Sequence, residues 1–156
     1  MESGSIFSHR LRTRVCGLLV RSQKILLTQI YSPAQNALVW MPPGGALKPG
    51  ETLREALARE FAEETSLEVT VRDLLHINEF IESPFHAIEF FFEVSDPQGE
   101  VALGTDPELD EEDQLLRDIQ WFPTGDLPEE SFSPRSLLAV IRNWENRQSL
   151  PISEHK

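Results

Sequence analysis

Three glutamates stand close together near the middle of the sequence, at Glu60, Glu63 and Glu64. On an α-helix, where successive residues are about 100° apart, Glu63 and Glu64 fall within about 60° of Glu60. Carboxylates on one stripe repel each other, and each close pair costs roughly a few tenths of a kcal/mol. A sequence that keeps three of them on one helix face therefore indicates a site that binds a cation.

The residues before the glutamates predict a helix that begins after Thr52. Thr52 and Glu55 have the spacing of a capping box, in which the hydroxyl accepts from the Glu55 amide and the Glu55 carboxylate reaches back. Leu53, Leu57 and Phe61 recur at positions i, i+4 and i+8 and form an apolar stripe. The helix is thus predicted to be anchored in a core by one side and to present its carboxylates on another.

The remaining patterns predict an α+β fold, with a mixed sheet between helices. Apolar stretches indicate strands over residues 12–21, 24–31, 67–82, 86–95 and 116–122. A Pro-Pro-Gly-Gly turn is predicted just upstream of the first helix, at residues 42–45. A second helix is predicted after Ser133, the expected N-cap, with Pro134 at its first position and Leu137, Ile141 and Trp144 facing the core.

Composition limits the class of protein. A chain of 156 residues is expected to be one domain, and its formal net charge of −12 argues against a surface for long nucleic acids. A small phosphorylated ligand remains compatible if a divalent ion neutralises its charge. Cys16 is the only cysteine, so no intrachain disulfide can form. We see no signal peptide and no apolar run of the roughly 20 residues that a membrane span needs, which predicts a cytoplasmic protein.

One segment resembles a known family motif. Gly45, Glu51, the pairs Arg59-Glu60 and Glu63-Glu64, and an apolar Leu67 have the spacing of the Nudix box. Ser66 stands where that family has glycine, which would end the helix in a left-handed conformation that serine adopts at a cost of about 1 kcal/mol. The resemblance extends more loosely to Trp40 through Gly45, to Trp121-Phe122-Pro123 and to the final helix. It implies a Nudix domain over residues 11–147, between a flexible N-terminus of residues 1–10 and a polar tail of residues 148–156.

The resemblance implies hydrolysis of a pyrophosphate linkage in a nucleoside diphosphate that is bonded to another group. The cofactor would be Mg²⁺, for which Mn²⁺ could substitute, since hard divalent ions prefer oxygen ligands. The implied metal ligands are Glu60, Glu63, Glu64 and the Gly44 carbonyl. Arg59 would orient the acidic stripe through ion pairs, and Glu51 would brace the loop against the start of the helix.

An acidic segment late in the chain could supply one more carboxylate. In many Nudix enzymes a loop before the late strand donates a glutamate to the metal or to water, and Glu112 is our choice, with Glu111 and Asp113 nearly as good. Together with Glu112, the predicted catalytic residues are Glu60, Glu63, Glu64 and Arg59. A solvated loop without a role in catalysis is the alternative for this segment.

The substrate is predicted only by class. Pro84 lies 18 residues beyond Ser66, near the position of a proline that ADP-ribose hydrolases of this family often carry, which favours ADP-ribose or a nucleotide sugar. The alternatives are a nucleoside triphosphate pyrophosphohydrolase of the house-cleaning kind and a module that senses nucleotides without cleaving them. Tyr31, Phe80 and Phe85 could stack on a base, although aromatic residues in strands usually belong to the core, as do isolated histidines such as His76 and His86. Many relatives pair, so a homodimer is a further expectation.

Overall fold

The computed structural model describes residues 10–105 and 115–153, which contain eight strands and two α-helices. The strands are β1 Leu11–Leu18, β2 Val20–Arg21, β3 Lys24–Ser32, β4 Ala37–Met41, β5 Gly44–Ala46, β6 Glu68–Glu82, β7 Phe85–Gln98 and β8 Leu116–Pro123. The helices are α1 Leu53–Thr65 and α2 Leu138–Arg142, with 3₁₀ turns at Glu129–Ser131, Arg135–Leu137 and Trp144–Ser149. No helix in these described ranges is long and apolar enough to cross a bilayer.

The strands form two four-stranded sheets, where the sequence predicted one. The first sheet has the order β5-β1-β7-β6, with β1 parallel to β7 and the other pairs antiparallel. In the second, β3 pairs antiparallel with β2, β4 and β8. The predicted strand over residues 12–21 is divided at Leu19, so that β1 belongs to the first sheet and β2 to the second. The two-residue turn Ser22-Gln23, with φ of 50° and 63°, then leads into β3.

The two helices cover two separate clusters of the core, which confirms the predicted α+β sandwich. α1 packs its apolar stripe on a cluster that includes Val15, Leu26 and Phe92. The segment around α2 packs on a cluster that includes Cys16, Leu27 and Phe91. Neighbouring residues of β1, β3 and β7 thus point to opposite clusters, as the alternation of side chains along a strand requires.

The first helix has the predicted limits. The Thr52 hydroxyl accepts from the Glu55 amide at 3.1 Å, and the Thr52 amide donates to the Glu55 carboxylate at 3.4 Å. Ser66 ends the helix with φ 67° and ψ 12°, the left-handed conformation expected of glycine, and its amide donates to the Ala62 carbonyl at 2.9 Å. The serine therefore replaces the glycine without a change in how the helix ends.

The second helix differs from the prediction. Pro134 is extended, with φ −82° and ψ 149°, and no side chain caps the 3₁₀ turn after it, so the predicted N-cap at Ser133 is wrong. α2 is only five residues long because Asn143 leaves the helical region, at φ −108° and ψ 38°, and its side chain donates to the Ala139 carbonyl at 2.8 Å. Leu137 and Ile141 are buried as predicted, and the half-buried Trp144 packs against the same core cluster, also as predicted.

The left-handed serine gives a direct test of this helix end. Replacing Ser66 by glycine removes the steric cost of a positive φ, so we expect Ser66→Gly to raise the free energy of unfolding by up to about 1 kcal/mol. Urea denaturation followed by circular dichroism measures it. Ser66→Ala is the matched control, since it keeps the Cβ, loses the hydroxyl bond to Ala102 and should destabilise. Both variants lose that hydroxyl bond, so a glycine variant that is no more stable than Ser66→Ala would contradict the conformation described.

Candidate functional site

A cavity of about 320 Å³ opens between the two sheets beside α1. α1 contributes Glu60 and Glu64 to its wall, and the backbone of β5 lies next to them. The rest of the wall comes from strands of both sheets and from neighbouring loops, including Arg14, Glu89, Gln35, Phe80 and Phe85. The cavity thus brings two glutamates of the carboxylate stripe, Glu60 and Glu64, together with aromatic and charged side chains from three strands, β1, β6 and β7, while Glu63 is not part of the wall.

Two glycines allow β5 to lie between β1 and α1. A Cβ on Gly45 would come within 2.3 Å of the Glu60 Oε2, and one on Gly44 within 1.9 Å of the Val15 carbonyl oxygen. The residues predicted as a turn therefore form a strand at this point, with Gly45 opposite Val15. Because nothing larger fits, the Glu60 carboxylate lies against the strand backbone with only 5% of the residue exposed.

Arg59 connects three carboxylates. Its Nε and Nη2 donate to the two oxygens of Glu51 at 2.7 and 2.8 Å. Its Nη1 lies 2.9 Å from Glu60 and 3.3 Å from Glu63, and its Nη2 also donates to the Ala46 carbonyl at 3.2 Å. One guanidinium thus fixes the loop before the helix and two of the three glutamates of the stripe, which is the orienting geometry predicted for Arg59 and Glu51.

These contacts shift the pKa of both partners. Hydrogen bonds from Arg59 lower the pKa of Glu51 to about 2. The Lys48 amide, which donates to Glu51 Oε1 at 2.9 Å, acts in the same direction. The hydrogen bond to Glu51 raises the pKa of Arg59 above its usual value, against the opposing effect of partial burial. Both groups are therefore charged over the whole physiological range.

Glu64, the third glutamate of the stripe, contacts the backbone of β5. The Gly44 amide donates to Glu64 Oε1 at 3.0 Å. The carbonyl of Glu64 accepts from the Gly104 amide at 2.9 Å, so the segment after β7 packs on the end of the helix. The predicted Glu112 lies outside the described residues, but the described chain on either side of that segment adjoins the site, since Gly104 contacts Glu64 and Leu115 lines the cavity.

The ligand set of the stripe fits a hard divalent cation by chemistry. Three carboxylates and the nearby backbone of Gly44 supply only oxygen ligands, as Mg²⁺ and Mn²⁺ prefer. Within residues 10–105 and 115–153, no group of three acidic, histidine or cysteine side chains is already arranged around a common point. The three carboxylates instead have separate partners: Glu60 and Glu63 pair with Arg59, while Glu64 accepts from the Gly44 amide.

The structure distinguishes among the other candidates. Phe80 and Phe85 line the cavity, whereas Tyr31 is not part of its wall and pairs with Asn36. His76 is buried in the core, 2% exposed, with its Nε2 at 2.9 Å from the Ser136 hydroxyl. His86 lies at the cavity rim and pairs with Glu79 at 2.9 Å.

Sequence reasoning missed Arg14 and Glu89, which meet in the wall of the cavity at 3.4 Å. Burial lowers the pKa of Arg14, but attraction by Cys16, Glu89, Glu64 and Glu60 outweighs it and leaves that pKa raised. A signal was present for Glu89, which stands between the apolar Ile88 and Phe90, whereas Arg14 follows the polar Arg12 and Thr13 and had no such signal.

Comparisons with known proteins agree with this geometry. A protein-family model described as NUDIX domain matches residues 10–141. The ADP-ribose pyrophosphatase of Methanocaldococcus jannaschii is 28% identical over 137 residues, covering 85% of this chain and 73% of that protein. The CTP pyrophosphohydrolase of Escherichia coli is 40% identical over 57 residues, or 36% of this chain. The matches span 39% to 42% of the length of three curated relatives, the Escherichia coli protein among them. The crystal structure of a MutT NUDIX hydrolase from Burkholderia pseudomallei has the same fold, with a TM-score of 0.69 at 24% identity over 83% of this chain and 95% of that one.

The Arg59–Glu51 pair predicts a pH-dependent contribution to stability. The pKa of Glu51 is lower in the folded chain than its ordinary value of 4.5, so the contribution is present above pH 4.5 and is lost as the pH falls toward about 2. We expect Glu51→Gln to lower the free energy of unfolding at pH 7, and the difference from wild type to shrink between pH 4.5 and pH 2. Urea denaturation across this range measures it, with the exposed Glu68→Gln as control. A difference that stays constant with pH would contradict the ion pair.

Proposed function

Because the chain belongs to the Nudix family of hydrolases, we propose that it hydrolyses the pyrophosphate linkage of a small nucleotide with the help of Mg²⁺. The observation that carries the proposal is the position of the carboxylate stripe. Glu60 and Glu64 line the same cavity as Phe80 and Phe85, so charged and aromatic groups face one space. A diphosphate and its organic substituents require these two environments side by side.

The metal ligands in this proposal are Glu60, Glu63, Glu64 and the Gly44 carbonyl. When bound, Mg²⁺ or Mn²⁺ would neutralise charge on the diphosphate and lower the pKa of a bound water. The protein supplies position: the pairing of β5 with β1 holds the Gly44 backbone, and the helix holds the carboxylates at fixed spacing. Arg59 keeps the mutual repulsion of the stripe small, since its guanidinium lies within 3.3 Å of two of its members.

The substrate proposed first is ADP-ribose or a nucleotide sugar. A relative that this chain matches over most of both lengths is named ADP-ribose pyrophosphatase, and Pro84 stands in the β6–β7 hairpin whose Phe80 and Phe85 line the cavity. A nucleoside triphosphate is the second candidate, favoured by the shorter match to a CTP pyrophosphohydrolase. The two candidates differ in the group beyond the second phosphate, which is a sugar in one and a third phosphate in the other.

A substrate panel tests the proposal. We expect the purified chain with Mg²⁺ to cleave at least one of ADP-ribose, ADP-glucose, UDP-glucose, CTP and ATP, and a chelator to abolish the cleavage. Product analysis separates the two candidates, because ADP-ribose yields AMP and ribose 5-phosphate whereas CTP yields CMP and diphosphate. Tight binding without turnover of any of these compounds would favour the alternative of a sensing module.

The stripe itself is tested with isosteric variants. Glu64→Gln keeps the oxygen that accepts from Gly44 but removes the charge, so we expect the fold to persist and turnover to fall by about 10² or more. The exposed Glu145→Gln is the matched control and should retain full activity. The same assay on Glu112→Gln, with Glu111→Gln and Asp113→Asn beside it, identifies which carboxylate of the acidic segment takes part. Full activity in Glu64→Gln would remove that residue from the proposed site.

A further inference from the structure

Three polar residues form a row across the first sheet, and two of them, Arg14 and Glu89, lie in the wall of the cavity. Arg14 of β1 is in register with Glu89 of β7, and Glu89 is in register with Asn78 of β6. Residues that are paired in register point to the same face of a sheet. Glu89 Oε2 lies 3.4 Å from Arg14 Nη1, and Glu89 Oε1 accepts from Asn78 Nδ2 at 3.0 Å. The row therefore contains an almost fully buried glutamate, Glu89, which is 6% exposed and lines the cavity.

Asn78, at the β6 end of the row, is held by a further hydrogen bond from Ser136. The Ser136 hydroxyl donates to Asn78 Oδ1 at 3.1 Å, and its oxygen is 2.9 Å from His76 Nε2. Because its oxygen already accepts from Ser136, the Asn78 amide presents its nitrogen to Glu89. Side chains held in this way on sheet strands form a more rigid recognition site than side chains on a loop.

The carboxylate of Glu89 has capacity for further hydrogen bonds. An ionised carboxylate only accepts, at about four lone-pair positions, and Asn78 and Arg14 supply one contact to each oxygen. The Arg14 contact at 3.4 Å is longer than the roughly 2.7–2.9 Å of a strong charge-assisted bond. A donor on a molecule in the cavity would therefore add a hydrogen bond that the protein does not itself provide.

We propose that Glu89 selects the organic part of the substrate by accepting a hydrogen bond from an N–H or O–H group. The proposal rests on the proposed function, which places the diphosphate beside Glu60 and Glu64 in the same cavity. The group is either the exocyclic amine of the base or a ribose hydroxyl, and both share this donor chemistry. Asn78 and Ser136 act as positioning residues that keep the Glu89 carboxylate in place.

The test compares ADP-ribose with three analogues that each lack one donor: the adenine amine, the 2′-hydroxyl of the nucleoside, or the 2-hydroxyl of the terminal ribose. Equilibrium binding is measured for all four, together with kcat/KM where they are cleaved. We expect the wild type to discriminate against one analogue by about 10-fold or more, because a missing donor leaves a desolvated carboxylate without its partner. In Glu89→Gln this discrimination should fall below about 3-fold, and the analogue affected identifies the group.

Glu93→Gln is the matched control. Glu93 lies four residues further along β7, and its carboxylate is also shielded and pairs with Arg147 at 2.8 Å, but it does not line the cavity. The Glu93→Gln variant should keep the wild-type ratios between the affinity for ADP-ribose and the affinity for each analogue. If Glu89→Gln does not fold because Arg14 loses its partner, the double variant Arg14→Met/Glu89→Met removes both charges and should show the same loss of discrimination.

Two results would overturn the proposal: a wild type that binds all three analogues within about 3-fold of ADP-ribose, or a Glu89→Gln variant with wild-type ratios. Failure of the proposed function is a separate outcome. A chain that cleaves no compound of the panel would refute hydrolysis, while the binding ratios would still decide the role of Glu89.

Discussion

The arrangement of the site depends on one interaction, the contact of the Arg59 guanidinium with three carboxylates. Glu51, Glu60 and Glu63 would repel one another if they met without a cation, and Glu60 is almost fully buried. The planar guanidinium carries several donors at fixed angles, which a lysine ammonium could not match. Through it, the loop before α1 and the carboxylate stripe become one rigid unit. The stripe can therefore stay concentrated on a single helix face in a protein whose formal net charge is already −12.

Close backbone packing is the second constraint, and it connects the helix to the sheet. Gly44 and Gly45 let β5 lie between β1 and α1, where a Cβ would collide with Val15 or with Glu60. The same strand supplies the amide that holds Glu64. β1 is in turn in register with β7, so the position of Arg14 relative to Glu89 follows from the sheet that also fixes β5. β1 thus positions two parts of the cavity wall, because β5 pairs with one of its edges and β7 with the other.

Sequence reasoning was most successful where the pattern is local. The capping box, the apolar stripe of α1 and the strands over residues 67–82 and 86–95 depend on neighbouring residues, and the structure has all of them. It was least successful where distant parts of the chain determine which sheet a strand joins. Nothing in the sequence near Leu19 indicates that one strand passes between two sheets there. The short α2 has a local cause that the apolar pattern does not show, since Asn143 turns the backbone out of the helix and its side chain donates to the Ala139 carbonyl.

The same distinction applies to the site. Glu60, Glu63, Glu64 and Arg59 could be found from spacing because they share a helix, whereas Arg14 and Glu89 lie 75 residues apart and meet only through sheet register. A charged residue in an apolar strand is a signal that can be read in advance, because burial of a charge is costly unless a partner exists. The sequence does not show which distant residue is the partner. In this protein the candidate site residues that spacing predicts, the carboxylate stripe and Arg59, therefore lie on helix α1. The residues that distinguish one organic group from another in our proposal lie on the sheet and were identified only from the structure.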